Sequence, residues 1–397
     1  MSWEILKEKN IQQFIKDHAT HDPFSLALKA KQYPDIPMQL AVEQIQARQK
    51  AVNKLPTWTQ CEGIIYPPLL SMEQCSSEIT AKYKGELMAG NRLLDLTGGS
   101  GVDTYFISRN FEKADYTELW EALFHRTQHN FKCLGAENID CHFGDGIEFL
   151  KQQPDQHYNL IFIDPYRRDE QLQKVFQMED CLPDVVGLKE LLLQKSKKVW
   201  IKASPMLDIK SSIRSLKYVQ QVHVVSVQND CKEVLFELEN KINDNPQYTA
   251  VNFTKKGEKE TLSFSLKEET EAIVPCDAPK QHLYEPNSAI LKAGGFKSIG
   301  VQQGVSKLHP HSHLYTSEAL VNDFQGRKFK IIGQEAVNKK ALKKYCKDGK
   351  GNLTVRNFPA TVADLRKKLK LKDGGNIYIF ATTLVGEEKV LLVCERV

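Results

Sequence analysis

Leu93-Leu94-Asp95-Leu96-Thr97-Gly98-Gly99-Ser100-Gly101-Val102-Asp103 is an apolar run that ends first in an acid and then in a glycine-rich corner. Its first part predicts a strand over RLLDLT (92–97), and DTYFISRNF after the corner predicts a helix. Glycines at such a corner let backbone N–H groups approach a ligand that side chains would otherwise keep away. The helix that follows turns its N-terminus toward the same place. Taken alone, a glycine-rich strand–turn–helix fits a nucleotide cofactor, a dinucleotide or a plain tight turn.

Working outward, short apolar strands alternate with helical stretches. The strands are ADYTE (114–118), IDCHFG (139–144), YNLIFID (158–164) and KVWIKA (198–203), followed by VHVVSV (222–227) and EVLFEL (233–238). That alternation predicts a doubly wound α/β core with a mostly parallel sheet. The last two strands are separated only by Gln228–Lys232 and predict an antiparallel hairpin. Acids recur at strand ends: Glu118 stands 23 residues after Asp95, Asp145 27 after Glu118, and Asp164 19 after Asp145. Carboxyl ends of strands are where open α/β sheets bind ligands. A carboxylate at Glu118 can accept hydrogen bonds from ribose hydroxyls, and one at Asp145 can accept from an adenine amino group. The constellation predicts a nucleoside cofactor.

These residues resemble the class I methyltransferases. Asp95-x-x-x-Gly99-x-Gly101 looks like their first motif, and Glu118, Asp145 and Asp164-Pro165-Tyr166-Arg167 look like the second, third and fourth. The resemblance implies a Rossmann-like core and S-adenosyl-L-methionine held by Asp95, Thr97, Gly99, Gly101, Glu118, Asp145 and Asp164. It also implies a catalytic edge at Asp164, Pro165, Tyr166 and Arg167. A dinucleotide fold would carry G-x-G-x-x-G, whereas Thr104 stands where its last small residue belongs. More narrowly, YPPLLSMEQCSSEITAKYK, DLTGGSGVD, IDPYRR, IKASPMLD, NDCKEVLFEL and LYEPNSAILKAGGF with HLYTS resemble a bacterial group, mainly from Bacteroidetes. That group joins such a core to a THUMP-like C-terminal domain, and THUMP domains proper bind the acceptor end of transfer RNA.

The reacting edge departs from the amine-methylating pattern N/D-P-P-Y/F: Tyr166 replaces the second proline and Arg167 the aromatic residue. Carbon methylation, with its D-P-P-R, would need a cysteine nucleophile; Cys231 is the nearest candidate but lacks that family's surroundings. Arg167 and Arg168 suit a phosphate clamp, and pairing with the site's own carboxylates is the alternative. Lys202 and Asp208 follow the fifth strand, as a phosphate contact and its orienting partner or as ordinary loop residues. In His309-Pro310-His311-Ser312-His313 the proline interrupts the alternation of histidines, so no metal is expected.

With 397 residues, the chain has room for two or three domains. We expect a helical region over 1–85, the methyltransferase core over 86–245, a connecting, ferredoxin-like segment over 246–320, and a basic THUMP-like α+β domain over 321–397. Residues 321–397 hold 17 Lys/Arg against 8 Asp/Glu, net +9, which leaves −5 for the rest of a chain whose total is +4. Such asymmetry points to a polyanion, here RNA (tRNA or rRNA), or else to a solvated lysine-rich surface. The nine cysteines form no C-x-x-C pair and read as reduced thiols. No apolar run approaches the ~20 residues of a membrane span, and the charged start MSWEILKEKN lacks a signal core, so a cytoplasmic protein is expected. The rival expectations are methylation of a protein or small molecule, and a non-catalytic RNA-binding protein that keeps the fold.

Overall fold

The computed structural model describes residues 3–167 and 177–397. The chain forms two compact units, Met1–Val219 with Leu235–Asn243, and Gln220–Val234 with Asp244–Val397.

The first unit opens with helices α1 (Lys9–Asp17), α2 (Pro23–Ala27), α3 (Met38–Lys54), α4 (Pro56–Gln60), α5 (Leu69–Gln74) and α6 (Glu78–Leu87). The apolar spacing seen in sequence becomes one cluster in which Ile11, Phe14 and Ile15 of α1 meet Met38, Ala41 and Ile45 of α3. Pro23 and Pro56 open their helices, where the missing N–H is no loss. The pattern predicts a single helix over 72–88, but the chain breaks it at Cys75–Ser77. Ser77 Oγ accepts the Thr80 N–H at 3.4 Å, and this cap starts α6 afresh.

After α6 come β1 (Gly90–Asp95), α7 (Val102–Ser108), β2 (Phe111–Glu118), α8 (Glu121–Cys133), β3 (Ile139–Phe143), α9 (Gly146–Lys151) and β4 (Tyr158–Ile163). A two-stranded ribbon, β5 (Tyr166–Arg167) with β6 (Cys181–Leu182), precedes α10 (Val185–Lys195), β7 (Ser196–Ala203) and α11 (Ile209–Leu216). Strands β7-β4-β1-β2-β3 lie in that order and are all parallel. The chain moves to one side of β1 for β2 and β3, then to the other for β4 and β7. The crevice opened by that switch lies at the carboxyl ends of β1 and β4. Helix α6 packs on α7 through Gly85, where a Cβ would lie 2.7 Å from the Phe106 carbonyl oxygen.

In the second unit, which takes Gln220–Val234 of this hairpin while residues 235–239 belong to the first, β8 (Val219–Val227) turns into β9 (Asp230–Glu239) through Gln228 and Asn229, both at positive φ (53° and 66°), as a two-residue hairpin turn requires. Strand β10 (Gln247–Phe253) pairs parallel with β8, and β11 (Lys259–Ser265) antiparallel with β10. These two strands fall in the stretch expected to connect domains. NKINDNPQ (240–247), whose composition fits a domain boundary or a sheet excursion, is the excursion, because the alternating apolar residues of β10 still need a paired, buried position. Then follow α12 (Leu266–Glu271), β12 (His282–Pro286), α13 (Ser288–Ala293), α14 (Ser298–Gln303), β13 (Ser306–Lys307), β14 (Tyr315–Ser317), β15 (Gly326–Glu335), α15 (Lys339–Leu342), β16 (Asn352–Arg356), α16 (Val362–Leu369), β17 (Ile377–Thr383) and β18 (Lys389–Arg396). A second sheet orders its strands β13-β14-β12-β15-β18-β17-β16. Both faces of β17 and β18 are covered: Ile379, Leu391 and Val393 join one apolar cluster, Phe380, Leu392 and Cys394 another. That burial explains the unbroken apolar run VLLVC. Among the described residues no helix is long and apolar enough to cross a membrane.

Candidate active site

The site is built around the corner between β1 and α7. Gly98 is forced by its neighbour, since a Cβ there would lie 2.1 Å from the Tyr116 ring. Gly101, at φ +74°, is equally confined, with Thr127 Cγ2 2.5 Å from the position of a Cβ. Gly99 differs. It lies at φ +56°, and an added Cβ would meet nothing nearer than the Thr97 carbonyl oxygen at 3.7 Å. Two glycines thus seat the turn in the protein, and the third leaves a space beside it open.

The turn is held from β2 and α8. Tyr116 and Thr127 hydroxyls donate to the Gly99 carbonyl at 2.6 and 3.1 Å. The Gly99 N–H donates to Glu118 Oε2 at 2.9 Å, and Trp120 N–H to Glu118 Oε1 at 2.7 Å. Burial raises the Glu118 carboxyl above its usual range. Asp95 is 1% exposed; its carboxylate accepts the Thr104 hydroxyl at 2.6 Å and the Thr97 N–H at 3.2 Å. Burial, with Asp103 and Asp164 nearby, nevertheless pushes its pKa up to about 7. Thr97 Oγ1 accepts the Asp164 N–H at 2.7 Å and so ties the corner to the end of β4. Asp145 is exposed and caps α9, with Oδ1 accepting from Ile147 and Glu148 N–H groups at 2.7 and 3.3 Å. Gly146 beside it has no room for a side chain, because a Cβ there would lie 2.4 Å from the Leu96 carbonyl oxygen. Asp95, Glu118, Asp145 and Asp164 thus end or follow four neighbouring strands at one edge of one sheet.

Behind this edge lies a chain of charges of which sequence patterns singled out only Lys202 and Asp164. Lys84 of α6 is fully buried and pairs with Asp103 Oδ1 at 3.1 Å. Ser76 donates to Asp103 Oδ2 at 2.8 Å, and Lys202 Nζ lies 3.3 Å from the same oxygen. Lys202 also reaches Asp164 Oδ2 at 2.5 Å. The Lys84 and Lys202 ammoniums hold the Asp103 carboxyl below its ordinary value despite its burial. Lys202, considered above as a phosphate contact, therefore braces two carboxylates. Only the closeness of Gly85 to Phe106 hints at a buried lysine next to it, and that is a fact of packing.

A second feature, foreseen only at Tyr166, is apolar. Leu119, Trp120, Phe143, Tyr166 and Met206 are all at least 44% exposed, and all lie at or just after the carboxyl ends of β2, β3, β4 and β7. Exposed apolar groups gathered at one edge suit a binding surface better than a solvated one. A signal was present: an aromatic residue falls within two positions of Glu118, Asp145 and Asp164.

Pro165 is half-buried between Asp164 and the β5 ribbon. Arg168 and the Arg167 side chain lie outside the described residues. Asp208 caps α11, accepting the Ser211 N–H at 2.6 Å. Cys231 sits on β9 with its thiol pKa raised by burial, the wrong direction for a ready nucleophile. In the second unit, Tyr345 donates to Glu335 at 2.8 Å, whereas Phe358 lines a surface hollow of about 460 Å³ with Pro359, Lys368 and Lys389.

Comparison with known proteins adds to this geometry. A family model described as conserved hypothetical protein 95 matches residues 76–229, a ferredoxin-like domain matches 282–324, and a THUMP domain-like model matches 326–396. The whole chain (100%) is similar to a crystal structure named "putative methyltransferase from Porphyromonas gingivalis W83", at 31% identity, 99% coverage of that chain and a TM-score of 0.87. Part of the chain (46%) overlays 48% of a type I restriction-modification methyltransferase subunit from Streptococcus thermophilus, at 15% identity and a TM-score of 0.34. Another overlay takes 41% of the chain and 84% of the "putative methyltransferase yhhF" from Escherichia coli, at 18% identity and a TM-score of 0.31. No curated protein matches by sequence.

Proposed function

This chain belongs to the methyltransferase family that ends in a THUMP-like domain, and from that premise we propose that it transfers a methyl group from S-adenosylmethionine to RNA. The observation that carries the proposal is the edge of the first sheet. Four carboxylates and a rim of exposed apolar side chains surround a glycine corner whose outer side is open. A nucleoside bearing a sulfonium has that mixed character, with an apolar base, a hydroxylated sugar and a cation.

The residues present fit such a group. Glu118 would accept from the ribose hydroxyls and Asp145, through the oxygen not used in capping, from the adenine amino group. Trp120 and Phe143 offer apolar surface to a purine, and Asp95 and Thr97 line the turn toward the methionine end. When bound, S-adenosylmethionine supplies an electrophilic methyl carbon. Asp164 would anchor the acceptor atom, with Lys202 and Asp103 fixing the direction of its carboxylate. Tyr166, 60% exposed, can stack on a base. Arg167 and Arg168 would clamp a phosphate. Most of the rate would come from holding the acceptor in line, since a well-positioned displacement needs little further chemistry.

RNA is favoured as the acceptor by the basic second unit. Lys367, Lys368 and Lys370 are exposed on and after α16, and phosphate contacts of this kind orient a nucleic acid without reading its sequence. The test is to incubate the protein with methyl-labelled S-adenosylmethionine and, separately, total RNA, total protein and small metabolites. Label in the RNA fraction is expected. Label only in protein or metabolites overturns the RNA assignment, and no label in any fraction overturns methyl transfer.

A further inference from the structure

We propose that the histidine-rich loop between β13 and β14 is an anion site that takes a phosphate group, independently of the methyl-transfer edge. Three observations meet there. Lys307, at the end of β13, is only 5% exposed, yet its ammonium donates to a single group, the Pro310 carbonyl oxygen. Among the described residues no carboxylate lies within ion-pair distance of it. Cys276, and after it Glu269, offset its charge from further away, and Glu269 already accepts from the Lys297 and Ser298 N–H groups. A buried ammonium without a counter-charge is costly, and a bound anion would remove that cost.

His313 supplies the second observation. Its ring stacks on Phe296 at 3.7 Å between centroids and 14° between planes, and its Nδ1 is buried with no hydrogen-bond partner. Burial, followed by Lys307, Arg356 and His311, lowers its pKa to about 4, so the ring is neutral at ordinary pH. The cationic groups that depress it are those that would attract an anion. Arg356 is the third element. It shares the single carboxylate of Glu285 with Arg327, at 2.8 Å for Arg356 and 2.7 Å for Arg327 Nε, so two guanidiniums face one acid.

The loop is also held in shape. His309 Nδ1 accepts the His311 N–H at 3.1 Å and faces Asn357 Nδ2 at 3.0 Å, which leaves Nε2 to donate toward Glu387 at 3.4 Å. His309 is thus a strut, and His313, Lys307 and Arg356 are the groups that would touch the ligand. Free phosphate and the phosphodiester of an RNA strand share the required chemistry.

The experiment measures thermal unfolding of the full chain in inorganic phosphate, in an unphosphorylated oligoribonucleotide, and in chloride of equal ionic strength. The wild type is expected to gain roughly 2–4 °C over chloride at a tenfold excess of phosphate over its dissociation constant. Lys307→Met, and His313→Phe, which keeps the stack, should lose that gain. A gain from the oligoribonucleotide assigns the site to RNA backbone, and a gain from phosphate alone assigns it to the free ion. No gain with either ligand, or equal gains in wild type and both variants, overturns the site. If either variant misfolds, broadening of the phosphate ³¹P resonance by wild-type protein decides: no broadening overturns the site. Because no arm measures methyl transfer, failure here leaves that reaction standing, and failure of the reaction leaves this site standing.

Discussion

The two units place their charges in opposite ways. In the first, two lysines behind the acid-ended edge are turned inward: Lys84 is wholly buried against Asp103, and Lys202 bridges Asp103 and Asp164. In the second, Lys367, Lys368 and Lys370 face solvent, and the stretch 321–397 carries net +9. A buried ion pair adds little net stability but fixes the direction of its members. An exposed cation fixes nothing and attracts at a distance, in a salt-dependent way. The comparison teaches that the edge of the first unit is built to position and the basic stretch of the second to attract, as the proposed transfer to RNA requires.

Four experiments would break or sharpen that contrast. The largest effect is expected from Asp95, which only the first unit holds. Its folded pKa of about 7 lies above the ordinary 3.8, so the folded state binds the extra proton between those values. Stability is then full below about pH 4 and falls as the pH rises toward 7, by up to roughly 4 kcal/mol at ~1.4 kcal/mol for each step of one in pH. All four tryptophans, Trp3, Trp58, Trp120 and Trp200, belong to the first unit, so tryptophan fluorescence reports its unfolding. Asp95→Asn should flatten the pH dependence, and an unchanged slope would contradict the assignment.

Next in size is Asp164→Asn, expected to slow methyl transfer by about 10²-fold or more while cofactor affinity changes only a few-fold. Lys202→Met should follow it in kcat, because it releases the same carboxylate; equal losses in cofactor affinity would point to a pocket defect instead. Third, the glycines separate seat from space. Gly98→Ala should cost about 1–3 kcal/mol of stability through overlap with the Tyr116 ring. Gly99→Ala should cost about 1 kcal/mol for its positive φ and should weaken cofactor binding more than it weakens the fold. The smallest effect belongs to the second unit. Lys367→Gln with Lys368→Gln should weaken RNA binding a few-fold and lower the salt slope by about 1 for each phosphate no longer neutralised, with kcat at saturating RNA unchanged.

Much of the first unit was legible in the sequence because its function depends on local signals. A glycine corner after an apolar strand, and acids at crossover spacing, are chemical requirements repeated along the chain. The break at Cys75–Ser77 was harder to see, because a serine cap inside a helical pattern leaves the apolar period intact. The Lys84–Asp103 pair was invisible for another reason: nothing in a lysine's neighbours shows that its helix will touch another through Gly85. Strands β10 and β11 escaped because NKINDNPQ fits a boundary as well as a sheet excursion, and only pairing with β8 decides between them. The apolar rim was written in plain view at Leu119, Trp120 and Phe143, but core packing explains such residues equally well until their exposure is known.

The most direct test of the account is a calorimetric titration of the intact chain with S-adenosylmethionine. A single saturable site is expected in the wild type, weakened at least about tenfold in Glu118→Ala, which removes a charged hydrogen-bond acceptor from the pocket. No heat of binding in the wild type, or the same affinity in Glu118→Ala, would contradict the proposal that the acid-ended edge of the first sheet is a cofactor pocket.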